Sequence, residues 1–123
     1  MVRQSGWWAV DLDGTLAFYD GYKGEVIGAP IPKMIDRVKR WISKGRTVKI
    51  MTARVGKHPD STEDDVSRIR KMIEDWTEEH IGTRLEVTNE KDYKMIELWD
   101  DRCVQVIPNT GEPVRMKEER KEL

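Results

Sequence analysis

Trp7-Trp8-Ala9-Val10-Asp11-Leu12-Asp13-Gly14-Thr15 is the stretch whose reading decides the fold. Four apolar residues in a row, closed by a glycine turn, read as a buried strand over residues 6 to 11. A strand that ends on two carboxylates two residues apart delivers both to its C-terminal tip. That tip is where open parallel sheets carry their sites. Carboxylates gathered there repel one another unless a cation lies between them, and a hard divalent ion is the natural partner. The stretch therefore predicts a metal-dependent site at the carboxyl edge of a parallel sheet.

Outward from it, strand and helix patterns alternate. Behind Pro30 and Pro32, Ile35, Val38, Trp41 and Ile42 recur at helical spacing, and Gly45 is a stop signal. Thr47 to Met51 read as a second strand, ending in Thr52-Ala53-Arg54. The polar loop from Gly56 to Asp60 leads to Ser61 or Thr62 as an N-cap, with Glu63, Asp64 and Asp65 suited to the dipole of the first turn. Ile69, Met72, Ile73 and Trp76 form the apolar stripe of that second helix. A short strand over Leu85 to Thr88 comes next, then Met95 to Trp99 running into Asp100-Asp101. Val104 to Ile107 read as a last strand, closed by Pro108-Asn109-Thr110-Gly111. The alternation predicts an α/β chain: a three-layer α/β/α Rossmann-like fold with a mostly parallel central sheet covered on both faces. Only Ala17 to Ile31 separates the first strand from the first helix, too little for a cap domain.

The 123 residues suit one domain over 1–123, with a charged, solvated tail from about residue 113. Its 22 basic and 23 acidic residues leave a net charge of −1, which gives no support for a broad nucleic-acid or membrane footprint and leaves a local basic patch open. The lone cysteine, Cys103, cannot form an intramolecular disulfide, which points to a reducing cytoplasm; in an apolar strand it reads as a small core residue. Charged helices on a compact chain suit a monomer or a weak dimer.

Asp11, Asp13, Thr52, Asp100 and Asp101 all sit just past strand ends, so they should converge. Such an oxygen-rich site suits Mg²⁺ better than Zn²⁺, and Mg²⁺ is commonly completed by phosphate oxygens, which makes phosphoryl transfer the leading chemistry. Thr52 could offer its hydroxyl and its backbone N–H to a phosphoryl group, and Lys91 or Lys94 a positive charge. His58 and His80 have no ligand spacing, and the five tryptophans read mainly as core. Tyr19 and Tyr22, or an exposed Trp7, are the side chains that could stack on a ring.

These residues, in this order, resemble a known family. Asp11-Leu12-Asp13-Gly14-Thr15-Leu16 is similar to the first motif of the haloacid dehalogenase (HAD) superfamily of aspartate-nucleophile phosphatases. Ile50-Met51-Thr52 resembles its second motif, Lys91 its third (with Lys94 the other candidate), and Trp99-Asp100-Asp101-Arg102 its fourth. The resemblance implies that Asp11 attacks phosphorus to form an aspartyl-phosphate and that Asp13 acts as general acid and base. It implies that Thr52 and Lys91 hold the transferring oxygens, with Gly14, Thr15, Ala53 and Arg54 along the substrate. It implies Mg²⁺ on the Asp11 side chain, the Asp13 carbonyl, Asp100 and Asp101. A capless member has an open site, suited to a phosphorylated small molecule or a nucleic-acid end. Arg54 and the loop through Lys57 and His58 resemble the corresponding region of polynucleotide 3′-phosphatase domains. The competing readings are a non-catalytic phosphate- or protein-binding module, a receiver domain and a metal-dependent nuclease. Intact Asp11 and Asp13 disfavour the first. The order of the acidic motifs disfavours the second, and the lack of a strand before Asp11 disfavours the third.

Overall fold

A computed structural model describes residues 5–114. The first strand, β1 (Trp7–Asp11), is followed by helix α1 (Pro32–Ser43), strand β2 (Thr47–Met51), a 3-10 turn (Ala53–Val55), helix α2 (Glu63–Ile81) and strands β3 (Val87–Thr88) and β4 (Met95–Trp99). The four strands form one sheet in the order β3-β2-β1-β4, and every neighbouring pair is parallel. β1 is thus central, flanked by β2 in continuous register and by β4 with a register shift between Trp7 and Trp8.

Strand alternation decides which side chains meet the helices. Trp8 and Val10 of β1, with Val48 and Ile50 of β2 and Val87 of β3, point to one face. There they form a single core with Met34, Ile35, Val38 and Trp41 of α1 and with Ile73, Trp76 and Ile81 of α2. Both helices therefore cover the same face. On the opposite face, where coverage by a second layer was expected, no helix packs among the described residues; Trp7 and Ala9 are nevertheless buried, and Lys49 lies 4.5 Å over the Trp7 ring.

Helix ends follow local chemistry. Pro32 opens α1, and Gly45, at φ +84°, turns the chain out of it. Of the two N-cap candidates for α2, Thr62 serves: its hydroxyl accepts from Asp65 N–H, while the Asp65 carboxylate accepts from Thr62 N–H, a complete capping box.

The expected strand over Val104 to Ile107 does not join the sheet. Ile107 N–H donates to Glu112 O at 2.8 Å and Val114 N–H to Gln105 O at 2.8 Å, so the segment pairs with residues 112 to 114 instead. The turn responsible carries Asn109 and Gly111 at positive φ, and Val104, Val106 and Ile107 stay exposed. Its alternating apolar residues have the period of a strand, but the Pro-Asn-Thr-Gly turn supplies a nearer partner than the sheet edge. Cys103, expected in the core, is exposed for the same reason. Residues 115–123, most of the expected charged tail, lie outside the described residues.

Candidate active site

The carboxyl edge of the sheet is built around the turn directly after β1. Leu12 is fully buried, which anchors the turn in the core and leaves its two neighbours facing out. Its carbonyl accepts from Thr15 N–H (3.3 Å), Leu16 N–H (3.0 Å) and Ala17 N–H (2.9 Å), so three donors fold the chain back over one acceptor. Gly14 sits at φ +90°, and a Cβ there would stand 2.6 Å from Asp101 Oδ2. The residue after the second carboxylate must be glycine for two reasons, backbone conformation and room for Asp101.

Asp11, Asp100 and Asp101 come together: one carboxylate oxygen from each lies within 4.8 Å of the others. The Thr15 hydroxyl ties them, contacting Asp101 Oδ1 at 3.2 Å and Asp11 Oδ2 at 3.5 Å, while Asp101 N–H donates back to Thr15 Oγ at 3.0 Å. Burial, and then the negative charges of Asp100 and Asp101, push the Asp11 carboxyl from 3.8 up to about 7. Three oxygen donors in reach of one another, one of them hard to ionise alone, form a set that a cation would complete.

Asp13 does not join that cluster with its side chain. Both its oxygens accept from Arg54, Oδ2 from Nε at 2.8 Å and Oδ1 from Nη2 at 2.9 Å, a bidentate pair with side chains only 20% and 14% exposed. The same guanidinium donates to the carbonyls of Glu25 and Val26, each at 3.0 Å. Arg54 thus fastens the Ala17–Ile31 segment to Asp13 and to the end of β2.

Thr52 is buried at the end of β2 and lines the cavity. Of its two expected donors, the backbone N–H is already used: it donates to Thr88 O of β3 at 2.9 Å. The hydroxyl oxygen accepts from Arg54 N–H at 3.1 Å, which leaves the hydroxyl proton available to a ligand.

Around these groups lies a cavity of about 680 Å³. Ala53 and Arg54 line it, as expected of substrate contacts, as do the stacking candidates Tyr19 and Tyr22, together with Asn89, Arg102 and Cys103. Gly14 and Thr15, the other two expected contacts, are not part of the lining, and the Thr15 hydroxyl is turned to Asp11 and Asp101. Lys91 is exposed and is not part of the lining; the segment after β3 contributes Asn89 to the wall. The Lys94 carbonyl accepts from Trp7 N–H at 3.0 Å, which puts Lys94 at the amino end of β1, the far end of the sheet. Asn89 and Cys103 carry no sequence signal for the site. The one hint was position, since each lies directly beyond a segment already assigned to the carboxyl edge.

Comparison with protein-family models, with curated proteins and with solved structures finds no match for this chain. Among the described residues, no helix is long and apolar enough to cross a membrane.

Proposed function

We propose that this chain is a Mg²⁺-dependent phosphomonoesterase, a capless HAD-type hydrolase working through an aspartyl-phosphate. The convergence of Asp11, Asp100 and Asp101 within 4.8 Å, with Asp13 and Thr52 on the same cavity, is the observation that supports the reading. The three-layer form of that fold belongs to the same proposal; residues 5–114 supply its sheet and one helical layer.

Carboxylate oxygens alone are the donor set that suits Mg²⁺, held by Asp11, Asp100 and Asp101. Bound there, Mg²⁺ offsets charge on the phosphoryl oxygens and the repulsion among the carboxylates. Asp11 is the last residue of the central strand β1, and its half-buried carboxylate lines the cavity, which suits it as nucleophile. Its oxygen bonds to phosphorus as the bond from phosphorus to the leaving oxygen breaks. Asp13 gives that oxygen a proton, then takes one from the water that hydrolyses the aspartyl-phosphate. The Thr52 hydroxyl donates to a phosphoryl oxygen, and Arg102 supplies positive charge on the cavity wall, where Lys91 was expected to act.

A carboxylate held at both oxygens by a guanidinium has to give up one bond to handle a proton. Arg54 therefore sets both the position of Asp13 and its readiness. Arg54→Ala is expected to lower kcat/KM for a small aryl phosphate about a hundredfold, the scale of a misplaced reacting group. Arg54→Lys should recover little of this, because an ammonium cannot reproduce the fork. Full activity in the lysine variant would reduce the role of Arg54 to charge alone.

The activity itself is tested by phosphate release with and without Mg²⁺ from an aryl phosphate, nucleoside monophosphates and a 3′-phosphorylated oligonucleotide. Mg²⁺-dependent release is expected. No release from any of them, with the fold intact, would turn the reading toward a binding module.

A further inference from the structure

Six cations stand between Lys33 and Arg46 (Lys33, Arg37, Lys39, Arg40, Lys44 and Arg46) against the single carboxylate of Asp36, in a chain whose net charge is −1. Four of them, Lys33, Arg37, Arg40 and Lys44, succeed one another at helical spacing, one cation per turn of about 5.4 Å along a helix of about 18 Å. Among the described residues, α2 pairs Arg68 with Asp65 and Lys71 with Asp75, and none of the six cations from Lys33 to Arg46 has a carboxylate within ion-pair distance.

The row is placed against the site. Ile31 N–H donates to Leu16 O at 2.9 Å, which joins the first turn of α1 to the loop carrying Asp13 and Thr15. The Arg37 guanidinium lies 5.0 Å over the ring of Trp99, the residue before Asp100. At the other end, Arg46 lies 4.8 Å over Trp8. The two indoles are linked by Glu97, whose Oε1 accepts from both at 3.0 Å, so the one acid of this flank on β4 is already engaged. At the cavity mouth, Tyr19 and Tyr22 are 47% and 73% exposed, aromatic faces with no core to fill.

We propose that the flank of α1 beside the edge strand β4 holds the phosphate backbone of a single-stranded nucleic acid whose phosphorylated end lies in the carboxylate cavity. A single row of cations follows one strand, and exposed tyrosines suit unpaired bases. The location of the end rests on the phosphatase reading; the backbone track does not.

The test compares the chain with an Arg40→Gln/Lys44→Gln/Arg46→Gln variant, three positions outside the cavity. Both carry Asp11→Asn to prevent turnover, and binding of a fluorescent 12-nucleotide DNA with a 3′-phosphate is monitored by anisotropy across a salt series. The variant is expected to bind at least tenfold more weakly. The slope of log affinity against log salt should fall by about two, given about 0.7 per phosphate contact for single strands. With Asp11 restored, hydrolysis of an aryl phosphate should be the same in both. Equal oligonucleotide affinity in the two proteins overturns the track and leaves the phosphatase reading standing. Weakened binding with no phosphatase activity on any substrate does the reverse. Loss of binding to anionic vesicles with oligonucleotide affinity unchanged would assign the row to a lipid surface and overturn the proposal. Circular dichroism checks the fold, and Lys44→Gln alone serves as a milder variant whose affinity should fall between the two.

Discussion

Asp11→Asn is expected to abolish turnover, lowering kcat by at least about a thousandfold, while the fold survives. Asparagine keeps the shape of the side chain but cannot attack phosphorus, and it brings no negative charge to Asp100 and Asp101. The same substitution has a second, independent signature in the metal-free protein. Burial beside those two aspartates raises the Asp11 carboxyl to about 7. Between pH about 4 and about 7 the folded chain therefore keeps a proton that the unfolded chain has released, and stability falls as pH rises through that window. Metal-free Asp11→Asn should lack this fall, so that it melts above the parent chain at pH 7 and higher. Saturating Mg²⁺ should narrow the difference by stabilising the parent more than the variant, which keeps Asp100 and Asp101 and so part of the metal affinity. Melting midpoints in EDTA from pH 4 to 8 check this, and parallel curves for the two proteins would remove the carboxylate repulsion from the account. Retained turnover would remove Asp11 as nucleophile.

Leu12→Ala should carry the largest cost in stability. The side chain is fully buried in the core under the turn, and truncating such a leucine costs about 3 kcal/mol through lost burial and the cavity left behind. A drop of on the order of 10 °C in the melting midpoint is expected. Leu12 also stands between the two carboxylates that give the site its chemistry, and its carbonyl collects three N–H groups of the turn. If the core anchors the site, Mg²⁺ affinity should weaken along with stability, although Leu12 touches no ligand. An equally destabilising truncation at Ile73, buried on α2, should leave that affinity unchanged. Equal effects at the two positions would show that global stability alone controls the site.

Features written in neighbouring residues are legible in the chain itself. The apolar run Trp7–Val10 and the glycine turn after it place Asp11 at a strand tip whatever surrounds them. Pro32, Gly45 and the Thr62–Asp65 capping box bound the helices through hydrogen bonds and dihedral preferences that span at most a few residues. The β1-α1-β2-α2 alternation is readable for the same reason, since each element announces itself by its own period.

The strand expected at Val104–Ile107 shows where that reasoning stops. An alternating run says that a segment can pair, and the competition between the sheet edge and its own hairpin is decided by what lies nearest in space. The bidentate contact of Arg54 with Asp13 spans 41 residues and has no period to reveal it. Nor does the linear chain show that Asn89 forms the cavity wall where Lys91 was expected, or that Thr88 takes the N–H of Thr52. Local sequence settles which backbone each segment adopts and that carboxylates reach the sheet edge, because strand, turn and cap preferences act over a few bonds. The tertiary structure alone decides which carboxylates share a cation site, which one an arginine holds, and that both helices lie on one face. Those outcomes depend on the packing of Leu12, Val38, Ile50 and Ile73 into a single core, and every atom of that core has to be in place before the distances between its outlying charges exist.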